Sequence, residues 1–161
     1  FAPYDACALV YRNPELGRSA HTQHASYLDT LTEADEWNPS DYAIQLTRRT
    51  RGLPLWFSLA AHGTKAYSDA VAKTMDIARA AAELVRNHPN LELLCEPNLS
   101  IVAFTRKGWA LADYQAWSDK LLADQIGFVT PSAHKGAPIL RFAIINPWTG
   151  VSDIEEILAT L

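Results

Sequence analysis

A chain of 161 residues with 48% hydrophobic and 20% charged side chains is globular, sized for one ordinary domain or one and a fraction. Its formal net charge of −4 argues against general nucleic-acid binding, because phosphate-led binding needs a basic face. Its two cysteines, Cys7 and Cys95, form neither a disulfide framework nor a metal-ligand spacing. Both sit in apolar runs, so they are read as buried free thiols in a reducing cytoplasm. No run of about 18 apolar residues is present and no signal-peptide pattern is visible, so a membrane role is not expected.

The chain opens on Phe1, without Met, and enters the apolar run Ala6–Tyr11 almost at once. Bounded by Pro3 and Asn13-Pro14, that run reads as a buried strand. A start halfway into a core strand suggests part of a larger polypeptide. Residues from Pro14 to about Asp41 are polar and weakly periodic, which predicts a long loop with room for one helical turn. Loops of that length are usually functional or mobile. His21 and His24 in this stretch have an i, i+3 ligand spacing, but no third ligand accompanies them, so solvated histidines and no metal are expected.

From Gln45 to Gly63 the pattern sharpens. Arg48, Arg49 and Arg51 come first, followed by Leu53, Leu55, Trp56, Phe57, Leu59, Ala60 and Ala61. Pro54 suits a first helical turn and Gly63 a stop, so this reads as a short buried helix behind a basic cluster. The cluster suggests positive charge at a crevice or subunit edge; the alternative is three solvated arginines. Thr64 to Asn87 is the clearest helix, with Tyr67, Val71, Met75, Ala78, Ala82 and Val85 at three- and four-residue spacings. Leu91–Glu96 and Leu99–Thr105 read as two strands. Leu111–Ile126 reads as a helix turning Tyr114, Trp117, Leu121 and Leu122 inward. Phe128–Thr130 and Ile139–Ile145 read as a second strand pair. Ser152 with Glu155 forms a capping box that opens a final helix through Leu158. The order predicts an α+β layer, a sheet covered by helices on one face.

Three stretches carry a resemblance. "L-T-R-R-T-R-G-L-P-L-W-F" is similar to a signature of pyridoxal-phosphate-dependent amino-acid decarboxylases of the aromatic-amino-acid and glutamate group. "F-A-P-Y-D-A-C-A-L-V-Y-R" resembles the strand that follows the cofactor-binding His-Lys-Trp of that family. "G-F-V-T-P…P-I-L-R-F-A-I-I-N-P" resembles its last strand pair. The three occur in family order and span nearly the whole chain.

The resemblance implies the C-terminal part of the aspartate-aminotransferase-type fold. Residues 1–64 would be the α/β tail of the large cofactor-binding domain with a mobile loop, and 65–161 the linking helix and α+β small domain. It implies pyridoxal 5'-phosphate as cofactor, a small amino acid as substrate, and release of CO2 to give an amine. It also implies a homodimer completed by the N-terminal remainder of the polypeptide. The lysine that holds the cofactor as a Schiff base would lie upstream of Phe1, so the 161 residues alone would be inactive. His134-Lys135 is a decoy without the following Trp. Lys135 falls in a loop where glutamate-specific relatives place an arginine, but an ammonium lacks the bidentate fork, so no substrate is read from it. Tyr27, on the polar loop, would close over the partner subunit's site and protonate the substrate α-carbon; the alternative is a tyrosine pinning a surface loop. The backbone at Thr47, commonly Gly in the family, would approach the cofactor phosphate. Pro54 replaces a family lysine. The rival reading is a free-standing α+β domain that binds a partner or small effector.

Overall fold

A computed structural model describes residues 2–22 and 38–161. Tyr27, His24 and Trp37 lie outside the described residues. The chain divides into two compact units, Ala2–Ala61 and His62–Leu161.

In the first unit, helix α1 (Pro14–His21) starts where Asn13 caps the Glu15 amide with its side-chain oxygen and Pro14 occupies the first turn. A short 3-10 turn spans Pro39–Tyr42, capped in the same way by Asn38. The two pack through three links. The Tyr11 hydroxyl meets His21 Nε2 at 3.1 Å, and the Tyr11 and Tyr42 rings lie 6.5 Å apart. Arg18 Nε stands 3.3 Å from a carboxylate oxygen of Asp41, which is itself buried. Gly17 lets the Tyr11 ring approach closely: a Cβ there would stand 3.0 Å from that ring, so a larger residue requires the ring to give by a few tenths of an ångström. The predicted long loop therefore contains a two-turn helix and a second short turn.

The predicted strand at 6–11 does not form. Those residues are irregular, with Leu9 and Val10 exposed and no strand pairing with them among the described residues. Cys7 and Cys95 are both exposed, which corrects the expectation of buried thiols. An apolar run buries its thiol only when a partner strand or layer covers it.

Helix α2 (Leu53–Asn87) is two helices meeting at Gly63, whose φ of 79° and ψ of 155° belong to glycine, so the stop read at Gly63 and the helix read from Thr64 to Asn87 are both present. The first segment is not buried as expected: Leu53, Trp56 and Phe57 are exposed.

The second unit is a four-stranded antiparallel sheet of order β1-β2-β4-β3. Its strands are β1 (Leu91–Leu93), β2 (Ile101–Arg106), β3 (Ser132–His134) and β4 (Ala137–Ala143). Helices α3 (Leu111–Ala123) and α4 (Val151–Leu158) complete it. Alternation decides the faces. Val102 and Phe104 of β2, Leu140 and Phe142 of β4, and Ile144 just beyond turn inward, while Ile101, Arg141, Ala143 and Ile145 stay exposed. One core joins the inner face to Ile77, Ala78, Ala81, Ala82 and Val85 of α2, Tyr114, Trp117 and Leu121 of α3, and Ile154, Ile157 and Leu158 of α4. The alanines let α2 approach closely. Each large apolar side chain buried here contributes about 1.5–3 kcal/mol.

Three expectations are corrected in this unit. Residues 128–130 form no strand; instead the Val129 carbonyl accepts from the Ser118 hydroxyl at 2.7 Å, which ties the segment to α3. Leu122 faces out. Helix α4 is capped two residues earlier than Ser152 and Glu155 suggested, with the Gly150 amide donating to Asp153 at 2.9 Å.

Candidate functional site

The basic cluster forms the wall of a groove of about 480 Å³ within the first unit, lined by Arg48, Arg49, Thr50, Arg51 and Gly52 with Asp5, Ala6, Cys7 and Pro39. Local backbone geometry shapes it. The Arg51 amide donates to the Arg49 carbonyl at 2.8 Å and the Leu53 amide to the Thr50 carbonyl at 3.1 Å, folding the arginines into a tight turn against the start of α2. Arg48 is tethered through its guanidinium to the Pro39 carbonyl at 3.3 Å. The guanidinium groups of Arg49 and Arg51 have no hydrogen-bond or ion-pair partner among the described residues. Asp5 is the only carboxylate in the lining. The groove therefore carries a surplus of donors suited to a phosphate or carboxylate.

A second shallow groove, of about 500 Å³, runs along β1 and includes Arg86, Cys95 and Glu96. Here the cation is already engaged. Arg86 is paired with Glu83 and Glu96, and the hydrogen bonds it donates to Glu83 first and then to Glu96 raise its pKa above the usual arginine value. This groove offers no unpaired cation. Arg141, by contrast, stands exposed without a partner among the described residues.

Thr47 is exposed directly before Arg48. Neither His134-Lys135 nor any other lysine lines the arginine groove. Lys65 is paired with Asp69 and Lys120 with Asp124, and Lys107 donates to the Pro89 carbonyl. Lys135 occupies the tip of the β3–β4 hairpin with φ of 50° next to Gly136 at 82°, a two-residue turn joining His134 and Ala137. His21 is engaged by Tyr11, and no cluster of metal-binding side chains occurs among the described residues. No helix among them is long and apolar enough to cross a membrane.

Sequence reasoning found the arginines but not the segment that faces them. Asp5 and Cys7 reach the groove from more than thirty positions away, and nothing in their local pattern announces it.

The chain is similar over 113 residues to histidine decarboxylase of Rattus norvegicus, at 29% identity, covering 70% of this chain and 17% of that protein. It is similar over 157 residues to 3,4-dihydroxyphenylacetaldehyde synthase of Aedes aegypti, at 25% identity, covering 96% of this chain and 30% of that one. It thus spans less than a third of either relative. Tryptophan decarboxylase of Catharanthus roseus, solved in complex with L-tryptophan, shares the fold with a TM-score of 0.67 at 20% identity, over 91% of this chain and 32% of that one. The model of the pyridoxal-dependent decarboxylase conserved domain matches residues 1–107, which includes the whole arginine groove. With a match across most of its length, the chain belongs to the pyridoxal-dependent decarboxylase family, whose cofactor is pyridoxal phosphate.

Proposed function

We propose that these residues supply the loop-bearing tail of the large domain (1–64) and the small domain (65–161) of an amino-acid decarboxylase that releases CO2 from a small amino acid to leave an amine. The observation that carries this reading is the surface around the arginine groove. In the first unit Leu9, Val10, Ile44, Trp56 and Phe57 are all exposed, between 59% and 87%. Soluble proteins rarely leave so much apolar surface uncovered around a cationic groove, and a homodimer completed by the remainder of a larger polypeptide would cover it.

The described residues fit one end of the cofactor. Unpaired Arg49 and Arg51 match a phosphate dianion in charge, while no lysine stands in the groove to hold the aldehyde. When bound, pyridoxal phosphate supplies the electron sink for the electron pair left by departing CO2. The rest of the assignment concerns this chain's own groups. The Thr47 backbone and the arginine turn orient the phosphate end. Tyr27 donates its phenolic proton to the substrate α-carbon once the loop excludes water. The lysine comes from outside the 161 residues, and the assembly is a cytoplasmic enzyme.

A second reading, a free-standing α+β binding domain, draws on the self-contained core of His62–Leu161, yet it leaves the exposed surface of the first unit unexplained. Borohydride reduction of the chain with added pyridoxal phosphate, followed by peptide mass mapping, tests the assignment. No lysine should be labelled stoichiometrically. Stoichiometric capture at Lys135, or at any other single lysine, would overturn it. Expression together with the coding sequence upstream of Phe1 should restore CO2 release from aromatic amino acids or histidine.

A further inference from the structure

Strand β1 is an outer strand of the four-stranded sheet, paired with β2 along one side. Its register fixes what the other side offers. Antiparallel pairing alternates residues that exchange backbone bonds with the neighbour and residues that turn those groups away. The Leu94 amide donates to the Ala103 carbonyl and the Lys107 amide to the Asn90 carbonyl, both at 2.9 Å, with Glu92 opposite Thr105 between them. Residues 90, 92 and 94 therefore face β2, and Leu91, Leu93 and Cys95 turn their backbone groups outward. The Leu91 amide is satisfied by the His88 carbonyl at 3.3 Å. The Leu91 carbonyl, both backbone groups of Leu93 and the Cys95 amide have no partner among the described residues. A groove of about 500 Å³ lies beside them, lined by Arg86 and residues 91–96.

We propose that this edge docks an extended peptide that alternates apolar and basic side chains, added to the sheet as a further antiparallel strand. The backbone supplies the fit: a guest residue opposite Leu93 exchanges two bonds with it, and its neighbours two positions away complete the Leu91 carbonyl and the Cys95 amide. Main-chain bonds of this kind give affinity, and the flanking side chains give selectivity. Charge sets the selectivity here. Three carboxylates, Glu83, Glu92 and Glu96, stand against one guanidinium, Arg86, which is already paired with Glu83 and Glu96. Glu92 is exposed and has no partner among the described residues. A guest residue opposite Glu92 has its Cβ about 4.5–5.5 Å away, where a lysine or arginine is favoured and an acid repelled. Leu93 turns to the other face, partly buried against the core, so an apolar guest side chain extends that core. Pro89 and Pro97 bracket the strand and limit the site to one short guest. The site lies wholly within the second unit and does not rest on the catalytic assignment.

The test uses the 161-residue chain and an acetylated, amidated hexapeptide alternating valine and lysine, with a control peptide carrying glutamate for lysine. Amide exchange read by NMR locates the guest. The Leu93 and Cys95 amides should gain protection on binding, while the Leu94 amide, already bonded to β2, should change little. The lysine peptide should bind at least about tenfold tighter than the glutamate peptide, and the difference should shrink as salt approaches about 1 M. Glu92→Gln removes one cross-strand charge pair and should weaken the lysine peptide about two- to fivefold. Methylating the valine amides blocks the guest edge that faces β1 without touching the protein, and should weaken binding by about tenfold or more. Methylating the lysine amides instead should have little effect. The site is overturned by no saturable binding at about 1 mM lysine peptide, by equal binding of the two peptides, or by binding that leaves Leu93 and Cys95 unprotected. Protection of those amides that rises with chain concentration in the absence of peptide places a second copy at the edge and overturns it equally.

Discussion

Tyr114→Phe isolates one hydroxyl that finishes a β-ladder. Pairing between β2 and β4 ends at Phe104 and Leu140, so Arg106, the last residue of β2, has no partner in β4. Its register partner on the other side, Leu91, is the first residue of β1. The Tyr114 hydroxyl takes the vacant place, accepting from the Arg106 amide at 2.9 Å and donating to the Arg106 carbonyl at 3.3 Å. Tyr114 is 2% exposed, and its ring packs edge-on against Trp109 at 5.4 Å. Phenylalanine keeps the ring and its packing and deletes both hydrogen bonds. A buried donor left without a partner costs about 1–3 kcal/mol. The 3.3 Å contact is the weaker of the two and adds little, so we expect about 2 kcal/mol. For a unit the size of His62–Leu161, each kcal/mol lowers Tm by about 4–8 °C, which gives a fall of about 8–16 °C. Urea unfolding followed by tryptophan fluorescence should show a lower midpoint with an unchanged slope, since the exposed area does not change. Tyr114→Leu, which also loses the ring contacts, should cost more. A Tyr114→Phe midpoint within error of the native value would refute the ladder-completing role.

Three further outcomes are expected. Lys135→Asn should stabilise the second unit by about 0.5–1 kcal/mol in thermal unfolding, because asparagine visits the left-handed region at position 135 with less strain and Asn-Gly suits this two-residue turn. Trp56→Ser with Phe57→Ser should weaken self-association of the chain by more than about tenfold in sedimentation experiments, since the two rings stack edge-to-face on an exposed apolar surface; a native chain that stays monomeric at high concentration counts against the exposed-interface argument. In the enzyme assembled with its upstream part, Tyr27→Phe should lower turnover about 10²–10⁴-fold while cofactor affinity stays within a few-fold. Native turnover in that variant would reduce Tyr27 to a loop residue.

The parts of this fold that were legible in the sequence are those whose pattern reports their own burial. Residues 64–87 repeat apolar side chains on one helical face, and that face is buried at Ala78, Ala82 and Val85, half-buried at Tyr67 and Met75, and exposed at Val71, which corrects the expectation there. The β2 and β4 runs alternate as half-buried strands do. What misled were patterns that report a capacity for burial without its partner. Residues 6–11 have the composition of a core strand, but a strand forms only against another, and none pairs with it among the described residues. The same holds for Leu53, Trp56 and Phe57, whose apolar run is real and which no layer covers among the described residues. At α4 the error was different in kind. Two overlapping boxes compete, Ser152 with Glu155 and Gly150 with Asp153, and the shorter carboxylate reaches the Gly150 amide at 2.9 Å. The arginine groove was half legible for a related reason: a cluster of like charge is visible in one dimension, whereas the Asp5–Cys7 wall that turns it into a groove is a contact between distant segments. The misjudged apolar segments and the correctly read arginines therefore point the same way. In the first unit the exposed apolar residues Leu9, Val10, Trp56 and Phe57 lie within five sequence positions of groove-lining Cys7 or Gly52, which the proposed function accounts for as surface covered in a larger assembly.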